Sequence, residues 1–265
     1  MRAVQSTAIA HFESSAVASR ARTAVSLLPC TMDDRGTPYH HFQSVAVRAH
    51  PAGRRDDMVL SLTTPLILGS ASPRRRDILA SLGIPFRVLH ASIDERAALS
   101  EDPRAYVERI VLEKLAAVSG AVEEPSRFSG LLVADTIVVL DSEILGKPTD
   151  VAHAEALLAR IVGRAHNVLT RYAVSVSPHL GKQATARTVE SRVTMRAAGP
   201  EEIRDYAATG EGLDKAGAYA AQGIGAFLIS RVDGSFTNVV GLPACEVVED
   251  LRGLGLLTRF PLPKA

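Results

Sequence analysis

Apolar positions along the chain alternate between strand and helix spacing from Leu66 onward. Leu66-Ile67-Leu68 is short and wholly apolar, as a buried strand is. Ser72 then stands as a helix N-cap with Pro73 at the first helical position. Ile78, Leu79 and Leu82 form the stripe of that helix, and Gly83 stops it. Phe86 to His90 predicts a second strand. Asp102-Pro103 opens a helix to about Ser119, with Val107, Ile110, Val111, Leu115 and Val118 on one face. Leu131 to Leu140 is apolar on both faces, which predicts a central strand. Asp141-Ser142 turns it into a short partner, Glu143 to Leu145. A helix from about Asp150 to Ile161 follows, ended by Gly163.

Val168, Thr170, Tyr172, Val174 and Val176 share one parity, which is strand spacing, and Val189, Val193 and Met195 suggest its neighbour. Pro200-Glu201-Glu202 begins another helix, with acids at its positive end. A Gly/Ala-rich stretch from Gly210 to Gly225 precedes a strand, Ala226 to Val232, and a turn at Asp233-Gly234. Pro243 opens a last helix ending near Gly253. The pattern predicts an α/β fold, a mixed twisted sheet flanked by helices. No internal repeat and no linker interrupts residues 60–258.

Residues 1–60 show no sustained apolar period. Residues 1–32 hold one acid, Glu13, against Arg2, Arg20 and Arg22, a composition shared by disordered tails and organellar targeting segments. Met58 stands just before the first strand, so a start called too early is a third reading. The chain therefore divides into an extension, 1–60, and one domain, 61–265.

Charge and composition narrow the function classes. The net charge of +1 argues against a general nucleic-acid binder. With 46% hydrophobic and 22% charged residues the chain is not mostly disordered. No apolar run is long enough to span a membrane. Two cysteines, Cys30 and Cys245, make no disulfide framework, which predicts a reducing compartment. No His/Cys cluster has metal-ligand spacing, and no dinucleotide fingerprint or Walker loop is present. His153 and His166 are expected at the surface or as satisfied structural residues.

Several polar groups stand where folding alone does not put them. Arg74, Arg75 and Arg76 occupy the first turn of a helix, whose end is already positive, so an anion there would reverse an unfavourable sign. Ser70 and Ser72 add hydroxyls on the preceding loop. At about 100° per residue, Lys114 falls inside the apolar stripe of its helix, and is either paired or snorkels along the edge. Asp135 and Thr136 interrupt the central strand, one on each face of the sheet. A carboxylate there needs cations, a metal or donors. Ile93-Asp94-Glu95 places two acids after the second strand, and Gly146-Lys147-Pro148 holds a lysine on a stiff turn. Asp214-Lys215-Ala216-Gly217-Ala218-Tyr219, followed by Gln222, has small residues that permit close backbone approach. Arg74, Arg75, Lys114 and Lys147 with Asp135 and Glu95 describe a polyphosphate site with a divalent ion.

Five strings carry a resemblance: Ser72-Pro73-Arg74-Arg75, Ala134-Asp135-Thr136-Ile137-Val138, Gly146-Lys147-Pro148, Asp214 to Tyr219, and Asn238-Val239-Val240-Gly241-Leu242-Pro243. In this order, from about Leu66 to Leu257, the chain resembles the Maf family, also called septum formation inhibitor Maf. The resemblance implies an ITPase-like α/β fold with a central substrate cleft. It implies hydrolysis of a nucleoside triphosphate to the monophosphate and pyrophosphate with Mg²⁺ or Mn²⁺, in a cytoplasmic house-cleaning homodimer free of membrane and nucleic acid.

By that resemblance Asp135, Glu95, Lys114 and Lys147 are the catalytic residues, and Asp135 and Glu95 the metal ligands. Asp135 is either general base or metal ligand. Ser70, Arg74, Arg75, Thr136 and Gln222 bind the substrate. The segment ending in Gln222 resembles the dTTP/UTP branch. A glutamine amide offers a donor beside an acceptor, which suits the O4/N3–H edge of thymine and uracil. A nucleotide-binding regulator of cell division without turnover is the alternative.

Overall fold

The computed structural model describes residues 59–98, 101–177, 179–181 and 184–262. The expected extension lies outside the described residues except for Val59 and Leu60. Leu60 packs into the domain core at 3% exposure, its N–H donating to Leu256 O at 2.9 Å.

Seven strands form one sheet: β1 (Leu66–Leu68), β2 (Phe86–Val88), β3 (Gly130–Leu140), β4 (Glu143–Leu145), β5 (Ala165–Val176), β6 (Ala184–Met195) and β7 (Ile229–Asp233). The order is β2-β1-β3-β5-β6-β7, with β4 also on β3. β1 pairs parallel with β2 and β3; every other pairing is antiparallel, so the sheet is mixed as expected.

Helices cover both faces. α2 (Pro103–Gly120) lays the predicted stripe on one, where Val111, Leu115 and Val118 pack with Ile67, Leu131 and Val133. The Asp102 carboxylate caps it by accepting from Arg104 N and Ala105 N, both at 3.0 Å. On the opposite face, α1 (Pro73–Ser81) and α6 (Ala244–Gly253) pack Leu79, Val247 and Leu251 against Leu132, Ala134 and Tyr172. Further along this face, α3 (Val151–Ile161) and α4 (Pro200–Ala208) bring Leu158 and Tyr206 to Val138 and Val193.

Three local expectations change. Ser72 holds the N-cap position of α1, but its hydroxyl makes no capping hydrogen bond. Ile224–Leu228 is a 3-10 turn, so the last strand begins at Ile229 rather than Ala226. A five-residue helix, α5 (Phe236–Val240), lies between the expected turn at Asp233-Gly234 and the last helix, where no element was expected, capped by Ser235 Oγ accepting from Asn238 N at 3.2 Å. Among the described residues, no helix is long and apolar enough to cross a membrane.

Candidate active site

The site follows from a gap in the sheet. β1 is three residues long and pairs with β3 only as far as Leu132. β4 takes up the same edge of β3 at Val138. Between them, residues 133–137 have β5 on one side and, among the described residues, no strand on the other. Successive side chains point to opposite faces. At a gap, both faces open into one space. Asp135 and Thr136 therefore line a single cleft of about 560 Å³.

The turn leaving β1 delivers α1 to this gap. Gly69 allows it: a Cβ there would lie 2.6 Å from Val133 Cγ1. Gly69 N–H donates to Leu132 O at 2.8 Å, extending the β1 pairing by one bond. Ser70 is buried behind it.

Arg75 departs from the sequence expectation. It is 8% exposed and forms part of the cleft wall. Its Nε donates to Gly241 O at 2.8 Å, Nη1 to Ser70 Oγ at 3.0 Å and Nη2 to Thr136 Oγ1 at 3.0 Å. These acceptors are uncharged, so the positive charge is left without a directly bonded acid. Burial pushes the guanidinium below its ordinary value, and the Asp135 charge opposes that. Three of five N–H groups are committed, so Arg75 both ties the cleft together and keeps donors for an anion. Arg74 is exposed to the cleft and pairs with Asp214 at 3.1 Å. Arg76 does not line the cleft.

Lys114 is paired rather than snorkelling. Its Nζ lies 2.6 Å from Asp135 Oδ1 and 2.7 Å from Glu95 Oε1. The Lys114 and Asp135 side chains are 13% and 14% exposed, whereas Glu95 is 46% exposed at the rim. Burial alone raises the Glu95 carboxyl, but its hydrogen bond to Lys114 and the nearby cations hold it below the ordinary value. Of the two acids after β2, Asp94 pairs with Arg96 and does not line the cleft. Lys147, on the turn after β4, reaches the same space, and the turn is tied down by Gly217 N–H donating to Gly146 O at 3.1 Å.

No group of three or more His, Cys, Asp or Glu converges among the described residues. Two carboxylates do converge, at the point the Lys114 ammonium occupies. Two carboxylates completed by substrate phosphates and water fit Mg²⁺ or Mn²⁺, which need no all-protein cage. The donor set fits such an ion with Glu95 and Asp135 as ligands.

Gln222 lines the cleft, as do Asp214, Lys215 and Tyr219. Its side chain makes no hydrogen bond among the described residues. The residues assigned from sequence to catalysis or substrate binding all line this cleft, Glu95, Lys114, Asp135 and Lys147 with Ser70, Arg74, Arg75, Thr136 and Gln222, whereas Arg76 and Asp94 do not.

Two further residues were not singled out. Asn238, 0% exposed, donates through Nδ2 to Val168 O at 3.0 Å and Ser191 Oγ at 2.9 Å, which fixes α5 and so the Gly241 carbonyl that holds Arg75. The motif containing Asn238 was visible, but its role depends on β5 and β6 lying beside it. Glu211 also lines the cleft, and its carboxylate accepts from Ile224 N and Gly225 N, both at 2.8 Å. Cys245 is exposed on α6, outside the cleft, and His166 is buried against Tyr219 at 2.8 Å.

The family profile described as Maf-like protein matches residues 65–254. A dTTP/UTP pyrophosphatase of Desulfotalea psychrophila is 47% identical over 187 residues, 71% of this chain and 93% of its own. A dTTP/UTP pyrophosphatase of Myxococcus xanthus is 47% identical over 202 residues, 76% of this chain and 95% of its own. The Ham1 protein of Staphylococcus aureus aligns in three dimensions at 11% identity with a TM-score of 0.42, over 72% of this chain and all of its own; that level carries no functional argument.

Proposed function

The chain belongs to the Maf family, and from that premise we propose that it is a nucleoside triphosphate pyrophosphatase that hydrolyses dTTP and UTP to the monophosphate and pyrophosphate. The observation that carries this reading is the Asp135 carboxylate, nearly buried in a cleft lined by arginines and lysines and held through one oxygen by Lys114. The other oxygen, Oδ2, makes no hydrogen bond among the described residues.

In this reading Oδ2 takes a proton from the attacking water. The water oxygen bonds to the α-phosphorus, the bond from that phosphorus to the α–β bridging oxygen breaks, and pyrophosphate leaves with the electron pair. Arg74, Arg75 and Lys147 bind phosphate oxygens, and Lys114 holds the two carboxylates in position. A divalent ion would be held by Glu95 and Asp135 and would supply charge neutralisation at the phosphates, in which case Oδ2 is its ligand in place of the general base. Ser70 and Thr136 fix the Arg75 guanidinium, and Gln222 reads the O4/N3–H edge of the base. The domain of residues 61–265 does this as a cytoplasmic homodimer with no nucleic-acid partner.

The test is pyrophosphate release from dTTP, UTP, CTP, GTP and ITP with Mg²⁺ or Mn²⁺. We expect dTTP and UTP to lead, and Asp135→Asn to lower kcat by about 10³-fold with the fold retained. Gln222→Ala should erode the preference for dTTP and UTP. No release from any of the five would reject the enzyme reading in favour of a nucleotide-binding regulator.

A further inference from the structure

The segment that presents Gln222 is short, partly exposed and rich in glycine, yet it is pinned on both sides. Two residues before Gln222, Ala220 N–H donates to the Tyr206 hydroxyl oxygen at 3.0 Å. That hydroxyl in turn donates to Glu211 Oε2 at 2.9 Å. Two residues after Gln222, Ile224 N–H donates to Glu211 Oε1, and the next amide, Gly225, donates to Oε2. One carboxylate and one phenol thus hold three main-chain amides that bracket Gln222.

The glycines fit the same device. A Cβ on Gly223 would lie 2.0 Å from Glu211 Oε1, and one on Gly225 would lie 2.3 Å from the Tyr206 hydroxyl. The segment is glycine-rich because the clamp passes against its backbone, not because the loop must be free. The carboxylate is stabilised in its charged form: burial raises the Glu211 carboxyl, and the Gly225 and Ile224 amides, the Tyr206 hydroxyl and the Lys215 charge together more than reverse it. A negative charge lining a cleft meant for a polyanion would otherwise be unfavourable. Here it is spent on amides.

We infer that Glu211, with Tyr206, is a positioning residue for base selection, holding residues 220–225 so that the Gln222 amide faces the base. This rests on the reading of Gln222 given above. Glu211 touches neither the phosphates nor the reacting atoms in this assignment. Its removal should therefore act on KM and on preference rather than on kcat.

The experiment compares Glu211→Gln, Tyr206→Phe and Gln222→Ala in the full chain. Steady-state kinetics on dTTP and CTP are paired with amide hydrogen exchange over residues 220–225. Glu211→Gln turns an amide NH₂ toward one of the two N–H donors. The dTTP-over-CTP ratio of kcat/KM should fall about tenfold, carried by KM, the effect expected of one lost charged hydrogen bond. Exchange at Ile224 and Gly225 should quicken by a similar factor. Tyr206→Phe keeps the ring and should move the same readouts in the same direction, which covers the case in which Glu211→Gln does not fold.

An eroded ratio in Gln222→Ala beside an unchanged ratio in the clamp variants would overturn this inference alone. So would an equal loss for both substrates carried by kcat. An unchanged ratio in Gln222→Ala would overturn the base-reading role of Gln222 and this inference with it.

Discussion

Lys114 Nζ lies 2.6 Å from Asp135 Oδ1, although Lys114 sits within the apolar stripe of α2 and Asp135 in the middle of a strand that is apolar but for the neighbouring Thr136. Each is the other's reason for being there. With Glu95 at 2.7 Å from the same ammonium, the lysine stands where two carboxylates converge. Lys114→Met should leave those carboxylates repelling one another. We expect a loss of about 1–3 kcal/mol in metal-free buffer, below the full figure for breaking a buried pair because Glu95 is at the rim. Added Mg²⁺ should then raise Tm more in the variant than in the parent, because the resident cation is gone. Thermal unfolding with EDTA and with Mg²⁺ reads both effects, and an equal or smaller metal response in Lys114→Met would contradict this assignment.

Arg75 joins three parts of the chain that are distant in sequence: Ser70 before α1, Thr136 on β3 and Gly241 after α5. A lysine cannot reach three acceptors in a planar fork. Arg75→Lys should cost about 3 kcal/mol by urea unfolding and raise KM for the triphosphate. Retained stability together with retained KM would show that the fork is dispensable.

Asn238 donates to Val168 O and Ser191 Oγ with no exposure to water. Asn238→Asp is nearly isosteric but puts a carboxylate oxygen against a carbonyl. We expect a loss of about 3 kcal/mol or more at neutral pH, recovered in part in acid as the carboxyl is protonated. Unfolding midpoints at two pH values decide it, and a variant as stable as the parent would refute the anchoring role of Asn238.

His166 gives a pH dependence of stability unconnected with the cleft carboxylates. Burial pushes its pKa down to about 4 from an ordinary 6.5. Its Nε2 meets the Tyr219 hydroxyl, and Nδ1 has no hydrogen-bond partner among the described residues. The unfolded chain takes up a proton near pH 6.5, the folded one only near pH 4. Between those values the unfolded state binds more protons, so acid favours unfolding. The group's contribution is intact above pH 6.5 and is lost as pH falls toward about 4, by at most about 3 kcal/mol. His166→Gln should lose less stability than the parent between pH 7 and pH 5. Parallel curves for the two proteins would remove His166 from the account.

Much of this was legible because periodicity reports which face of an element is buried. The α2 stripe, the two-faced character of β3 and the misplaced Lys114 and Asp135 all follow from it. Periodicity does not report what the buried face meets. Lys114 could be seen to need a partner, but Asp135 comes from β3 and Glu95 from the segment after β2, and only the fold brings them to it. Arg75 was expected to face an anion openly. Its partners include the Gly241 carbonyl, and a carbonyl has no signature in sequence. α5 was missed because five residues span little more than one turn and show no usable period, and Phe236 at its start is 48% exposed. Glu211 reads as an ordinary loop acid until the amides that it holds are in place.

The gap in the sheet also sets which wall of the cleft can move. β3 is laced to β5 through ten residue pairs, from Gly130↔Val176 to Val139↔Asn167, so Asp135 rides on a long two-strand ladder. Glu95 lies outside any helix or strand, and Gln222 lies in a turn between 3-10 segments. Any tightening around a ligand therefore falls to the Glu95 rim and to the Gln222 side chain, because Glu211 and Tyr206 hold the main chain on either side of Gln222. Asp135 acts as the datum of the cleft, and Glu95 and the Gln222 side chain are the parts that adjust to it.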